Sequence, residues 1–256
     1  MTLAVPPVSA CVITQDEEHN IEACLASLAW CDEIVVVDSG SRDRTCELAA
    51  AAGARVFERP WPGYAEQKQF AVEQARHDWI LSLDADERLS PQLTAEIQGQ
   101  QTEGFPAAAY SLPRCSRYLG AWIRHGTWYP DRSVRLFDRQ RARWRSHRLH
   151  AIHESVEVDG PVVALQADLL HEPFRDISEH LATIDRYTTA IAQGLHAQGR
   201  RAHWWDVTLH PAAEALRFLV FKQGLRDGWR GLILGVLHAH YVFLKYAKLL
   251  ALQKNP

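Results

Sequence analysis

What most constrains this chain of 256 residues is the alternation in its first hundred. Ser9–Thr14 is a short apolar run, readable as a buried strand, and Asn20–Leu28 places Ile21, Leu25 and Leu28 at helical spacing. Ile34–Val37 is β-branched and continuous, as a strand covered on both faces should be. Thr45–Ala52 reads as a helix that Ser41 caps and Gly53 ends. Arg55–Phe57 and Trp79–Leu83 read as further strands with the helix Tyr64–Ala75 between them, and Ser90-Pro91 opens another helix with serine as cap and proline in the first turn. Joining β to α to β in this order gives a mostly parallel sheet with helices on both faces, an α/β fold. Ligands of such sheets bind beyond the carboxyl ends of the strands. Those ends carry Thr14-Gln15-Asp16-Glu17-Glu18, Asp38-Ser39-Gly40-Ser41 and Asp84-Ala85-Asp86-Glu87, so three acidic clusters converge on one edge.

Beyond Phe105 the regularity fades. Residues 110–160 are rich in Arg, Trp, Tyr and His, with short β-like pieces such as Ser133–Phe137, and from Ile177 the chain reads as helical. The expected division is an α/β domain over 1–176 and a helical region over 177–256. A hydrophobic share of 47% argues against disorder. Five cysteines without a CxxC pair argue against a disulfide scaffold and for a reducing compartment. Met1–Val8 has no Lys, Arg or long apolar stretch and does not read as a secretory signal.

Asp84-Ala85-Asp86 is a DxD after a buried strand. Two carboxylates one residue apart can hold a hard divalent cation, Mg²⁺ or Mn²⁺, through oxygen ligands. Such an ion neutralises a diphosphate leaving group. The Asp38-Ser39-Gly40-Ser41-Arg42-Asp43-Arg44-Thr45 segment then makes the reading specific. It resembles the DDGSxDxT element of family 2 inverting nucleotide-sugar glycosyltransferases with the GT-A fold, whose first strand ends in an NE or NEE element, here Asp16-Glu17-Glu18. Asp16 stands for the usual Asn, and Ser39 for a second Asp. The resemblance implies a nucleoside site in which Asp38 contacts the uracil edge and Glu17 the ribose, with Thr14, Asp16, Ser39, Gly40 and Asp84 around the donor. It places Lys68 at a basic position near the nucleotide.

Downstream, Gly126-Thr127-Trp128-Tyr129-Pro130-Asp131, Arg135-Leu136-Phe137, Ile152-His153-Glu154, Leu170-His171 and Gly224-Leu225-Arg226-Asp227-Gly228 are similar to elements of lipopolysaccharide core glucosyltransferases. The resemblance implies UDP-glucose as donor and a lipid-linked saccharide acceptor; without a secretory signal or spanning helix, the basic C-terminal tail leads one to expect attachment at the cytoplasmic face of the inner membrane. Inverting transfer needs a base that takes the acceptor hydroxyl's proton. Glu154 is the first candidate and Asp131 the second; the alternatives are an ion pair with a neighbouring Arg for Glu154 and a turn role for Asp131. Asp84, Asp86 and His171 form the expected metal set. His153 is a further candidate ligand or diphosphate contact, and a structural role stays open for both histidines. Arg132 and Arg135 can neutralise phosphate or grip an anionic acceptor. Trp122, Trp128 and Trp144 can stack on sugar rings or simply fill the core.

The net charge of −3 hides two opposed parts. Residues 212–256 carry seven basic and two acidic side chains, a balance of +5, which leaves −8 elsewhere. Within them Gly231–Leu244 is a 14-residue apolar run broken only by His238 and His240, short of the roughly 18 residues of a spanning helix. It reads either as a helix on an anionic membrane surface or as a packed C-terminal helix. No nucleic-acid motif accompanies the charge. A phosphatase with the DxD as nucleophile is disfavoured, because that motif belongs near the N-terminal strand. A nucleotidyltransferase lacks its glycine-rich loop here. The remaining alternative is a catalytically inactive sugar-nucleotide-binding or membrane-docking protein of the same fold.

Overall fold

A computed structural model describes residues 5–146 and 154–254. They divide into two compact units: the chain up to Arg114 with Arg132–Glu172, and Cys115–Asp131 with Pro173 onward. Cys115–Asp131, which the linear division placed in the first domain, thus packs with the C-terminal helices.

In chain order the elements are β1 (Val8–Thr14), α1 (Ile21–Ser27), β2 (Glu33–Asp38), α2 (Thr45–Ala51), β3 (Arg55–Glu58), α3 (Tyr64–Gln74), β4 (Trp79–Asp84), β5 (Glu87–Leu89), α4 (Pro91–Thr102), β6 (Ala109–Tyr118), β7 (Ala121–Trp122), β8 (Asp131–Asp138), β9 (Ala142–Ser146), β10 (Glu154–Val158), β11 (Val162–Ala164), β12 (Leu169–His171), α5 (Ile177–Ala197), α6 (Asp206–Leu216) and α7 (Gly228–Lys254). The main sheet runs β3-β2-β1-β4-β8-β6-β12-β5, and β9 with β10 form a separate antiparallel ribbon. β3, β2, β1 and β4 are parallel, whereas β8 runs antiparallel to β4.

Period-two alternation explains why both faces are covered. Val8, Ala10 and Val12 point to one face, where they pack with α1 and α4 residues including Leu25, Leu93 and Ile97. Cys11, Val35 and Val37 point to the other, against Ala65, Ala71 and Val72 of α3. Full burial of each larger apolar side chain, such as Val36 or Leu81, contributes roughly 2 kcal/mol. α4 starts as expected, with Ser90 Oγ accepting from Leu93 N at 3.1 Å and Pro91 in the first turn. α2 does not. It begins at Thr45, whose N donates to Asp43 Oδ1 at 3.0 Å, and Ser41 is committed elsewhere.

Register then places the site. Thr14 pairs with Asp38, and Ile13 with Asp84, so the ends of β2, β1 and β4 stand side by side.

The second unit is helical. α5 and α6 both pack on α7, around a core that includes Tyr118, Ile123, Ile184, Phe218, Leu234 and Leu237. A π-helical turn (Arg217–Phe221) and a 3₁₀ turn (Gly224–Asp227) join α6 to α7 into a helical hairpin. The Gly224–Gly228 motif is the reason this turn can be tight. Asp227 accepts from His125 N at 2.9 Å and lies 2.9 Å from its ring Nδ1, while a Cβ on Gly231 would lie 1.8 Å from the Gly224 carbonyl oxygen. The Gly231–Leu244 run belongs to α7 and buries Gly231, Leu234, Gly235 and Leu237, so much of it is packing surface. All five cysteines are free. Among the described residues no helix is long and apolar enough to cross a membrane.

Candidate active site

The loops after β1 and β2 are laced together by their own acids. Asp16 N donates to Ser41 Oγ at 2.8 Å, and Asp16 Oδ1 accepts from Arg42 N at 2.7 Å. Glu17 N donates to Thr45 Oγ1 at 2.8 Å, and Glu18 N to Asp43 Oδ2 at 3.1 Å. Asp16 holds φ +56°, a left-handed conformation that Asn and Asp tolerate best, which explains why either residue serves there. Glu17 Oε2 accepts from Asn20 Nδ2 at 2.8 Å.

Asp38 is buried, and its Oδ2 accepts from both Gly40 N and Ser41 N at 2.8 Å, while its Oδ1 takes the Ser41 hydroxyl. Its first role is therefore to shape its own turn, in which Gly40 adopts φ +91°. Ser39 N donates to the Thr14 carbonyl at 2.9 Å, and Ser39 Oγ accepts from Gln67 Nε2 at 3.1 Å. Thr14 Oγ1 and Gln67 Oε1 are buried without a hydrogen-bond partner, so this corner keeps two polar atoms open.

Beside it, at the end of β4, lies a buried charge cluster. Lys68 of α3 is fully buried and donates to Asp84 Oδ2 at 3.2 Å and to Glu154 Oε1 at 2.9 Å. Arg135 of β8 is also buried and donates to Asp84 Oδ2 at 3.1 Å and Glu87 Oε1 at 2.6 Å. Glu87 accepts in addition from Asp84 N at 3.0 Å and Arg114 Nη1 at 3.3 Å. Trp144 of β9 presents its ring to both cations, 4.7 Å from Lys68 Nζ and 5.8 Å from Arg135 Cζ. Charges out of water persist only when matched and hydrogen-bonded in this way. Burial works against the Asp84 charge, but Lys68 and then Arg135 outweigh it and hold that carboxyl well below the usual range. Burial also opposes the Arg135 charge, and Glu87, Asp84 and Glu154 more than restore it.

Some atoms of the cluster stay uncommitted. Asp86 Oδ1 is buried and accepts no hydrogen bond, Asp84 Oδ1 has only Lys68 Nζ beside it at 3.0 Å, and Arg135 Nε and Nη1 donate none. Asp86 Oδ2 lies 3.2 Å from His171 Nε2. The open Asp86 oxygen, next to the Asp84 carboxylate, suits a divalent cation held by few protein ligands and completed by substrate phosphate oxygens. Among the described residues no three acidic, histidine or cysteine side chains converge to hold a metal by themselves, so Asp84, Asp86 and His171 do not form a closed protein cage. The two open guanidinium nitrogens of Arg135 suit an anion.

The remaining candidates separate. Glu154 pairs with Lys68, and the ion pair with a neighbouring arginine does not form among the described residues. Asp131 stands at the start of β8, four residues before Arg135. Arg132 Nη1 donates to the Leu165 carbonyl at 2.7 Å. Trp144 and Trp128 are packed among core residues. His153 lies outside the described residues. Sequence reasoning passed over Glu87, although an acid directly after a DxD, with its strand neighbour Leu89 also buried, signals a carboxylate turned inward.

The chain is 33% identical over 250 residues to the lipopolysaccharide core biosynthesis glycosyltransferase LpsC of Rhizobium meliloti (strain 1021), covering 95% of this chain and 92% of that one. It is 30% identical to an uncharacterized glycosyltransferase of Rickettsia bellii (strain RML369-C), covering 99% and 90%. A crystal structure of glucosyl-3-phosphoglycerate synthase from Mycobacterium tuberculosis, in complex with Mn²⁺, UDP and glucosyl-3-phosphoglycerate, is 27% identical with a TM-score of 0.37, and the match covers 46% of each chain. The glycosyl transferase family 2 model matches residues 9–156, more than half of the chain. With that match over the strand-end site, and a relative aligned almost end to end, the chain belongs to glycosyl transferase family 2 and is a nucleotide-sugar-dependent glycosyltransferase of the GT-A fold.

Proposed function

We propose that this enzyme transfers glucose from UDP-glucose, with inversion, to a lipopolysaccharide core saccharide or similar glycolipid, using Mg²⁺ or Mn²⁺. The observation that carries the reading is the open, buried carboxylate oxygen of Asp86 next to the Asp84 carboxylate, with the open nitrogens of Arg135 beside Asp84. They offer cation-binding and anion-binding atoms side by side, as a nucleoside diphosphate requires. A bound divalent cation supplies charge neutralisation on the diphosphate. Thr14, Asp16, Glu17, Asp38, Ser39 and Gly40 form the nucleoside side, and Lys68 with Arg135 the phosphate side. His171 orients Asp86. Glu154 takes the proton from the acceptor hydroxyl as its oxygen attacks the anomeric carbon and UDP departs; Asp131 is the second candidate for that role.

UDP release from UDP-glucose, UDP-galactose, UDP-GlcNAc and GDP release from GDP-mannose, each with Mn²⁺ and with EDTA, tests this. Turnover should be fastest with UDP-glucose and vanish with EDTA. Asp86→Asn should lower it by about a hundredfold or more, since a metal supplies several kcal/mol of transition-state stabilisation. Undiminished turnover in EDTA, or in the variant, would remove the metal assignment.

A further inference from the structure

The exposed apolar surface of the second unit runs from Trp204 along α6 and α7, and the turn between the two helices is part of it. Val220, Phe221, Leu225 and Trp229 are each more than half exposed, Phe221 at 72%. α6 has no buried residue, although Leu209 and Leu216 recur seven apart on one of its faces and stand open. Isolated exposed apolar residues are ordinary, but a run of large ones along one hairpin marks a contact surface.

Charge says what the contact is. Lys222 and Arg226 lie between the apolar residues and are exposed, and no described carboxylate pairs with either; Arg226 Nη1 donates to Gln223 Oε1 at 2.7 Å. The nearby acids are turned to internal duties. Glu214 binds Arg217 through two bonds of 2.8 Å, and Asp227 binds His125. Gly224 lies against the buried Phe218 ring, so the turn presenting these side chains is itself packed. Aromatic and aliphatic side chains interleaved with unpaired cations match the boundary of an anionic bilayer, with rings at headgroup depth and cations on the phosphates. A two-fold contact with a second copy would set Lys222 and Arg226 near their own counterparts, which like charges disfavour.

We infer that the tip of the α6–α7 hairpin, residues 220–229, is a docking surface for a lipid bilayer carrying anionic headgroups. This deepens the lipid-linked acceptor reading and rests on it, and it centres the contact on the turn that precedes the Gly231–Leu244 run, where the exposed cations Lys222 and Arg226 lie.

The full-length protein is sedimented with vesicles of phosphatidylcholine alone and with about one part in three of phosphatidylglycerol. Binding is expected only to the anionic vesicles and should weaken as salt rises from about 0.05 to 0.5 M. Lys222→Gln with Arg226→Gln should weaken it about thirtyfold. Phe221→Ser with Leu225→Ser should weaken it at least about tenfold. Both pairs are exposed, so thermal melting should match the unsubstituted protein. Failure of that protein to bind, or equal binding by either variant, overturns the inference. So does light scattering that shows a dimer dissolved by the Phe221→Ser and Leu225→Ser pair. UDP release in vesicle-free buffer is measured in parallel: its loss in the unsubstituted protein would strike the transferase reading and leave the vesicle result standing.

Discussion

Lys68 is the residue on which the charge cluster depends, because a buried ammonium needs carboxylates and here has two, Asp84 and Glu154. Glutamine at position 154 can still accept from Lys68 but cannot take a proton. Glu154→Gln should therefore retain UDP binding by calorimetry while turnover falls by about 10²–10⁴-fold, the usual worth of a general base. If Asp131→Asn has that effect and Glu154→Gln turns over normally, the base is Asp131. The acids themselves were legible in the sequence, since they follow apolar runs that can only be strand ends. Their duties were not. Asp38 spends its oxygens on Gly40 and Ser41, and Glu87 turned out to be the buried partner of Arg135, because those contacts depend on which loop and which strand arrive alongside.

Among the elements, the early strands and helices followed from periodicity to within a few residues, while the cap of α2 did not. Ser41 has the chemistry of a cap, yet the adjoining β1 loop claims its hydroxyl as a partner for Asp16 N. In the second unit the hairpin depends on close backbone approach. Gly231→Ala would drive a Cβ into the Gly224 carbonyl. Chemical denaturation should show a loss of about 3 kcal/mol, at the upper end for overpacking of a filled interior. An unchanged midpoint would mean that the α7 start can slide away from the turn.

For the whole molecule, acid should act through the second unit. His180 is buried, with Nδ1 3.0 Å from the Tyr118 hydroxyl and its ring stacked on Phe174; burial, and then His238, push its pKa down to about 4. The unfolded chain takes up that proton near pH 6.5, the folded one only near pH 4. Stability is therefore intact above pH 6.5 and falls as pH drops toward 4, by about 3 kcal/mol in all. His238 is shifted in the same direction by burial and steepens the fall. Melting temperatures across this range, with His180→Phe as control, check it: the variant should show a shallower slope, and an equal slope would assign the acid response elsewhere.

The sequence alone determined the parallel arrangement of β1 to β4, because strand and helix periods alternate and crossovers have one sensible hand. It also determined that acids crowd the carboxyl edge, since chain order places each cluster directly after its strand. Only the tertiary structure decided which charges meet. Lys68, Arg135, Glu87, Glu154 and Trp144 come from five separate elements, and their pairing follows from register and burial, which no local pattern encodes. The C-terminal helices make the same point. Composition showed a basic, apolar tail, but packing chose which apolar residues to bury, and so left Phe221 and Trp229 exposed beside Lys222 and Arg226.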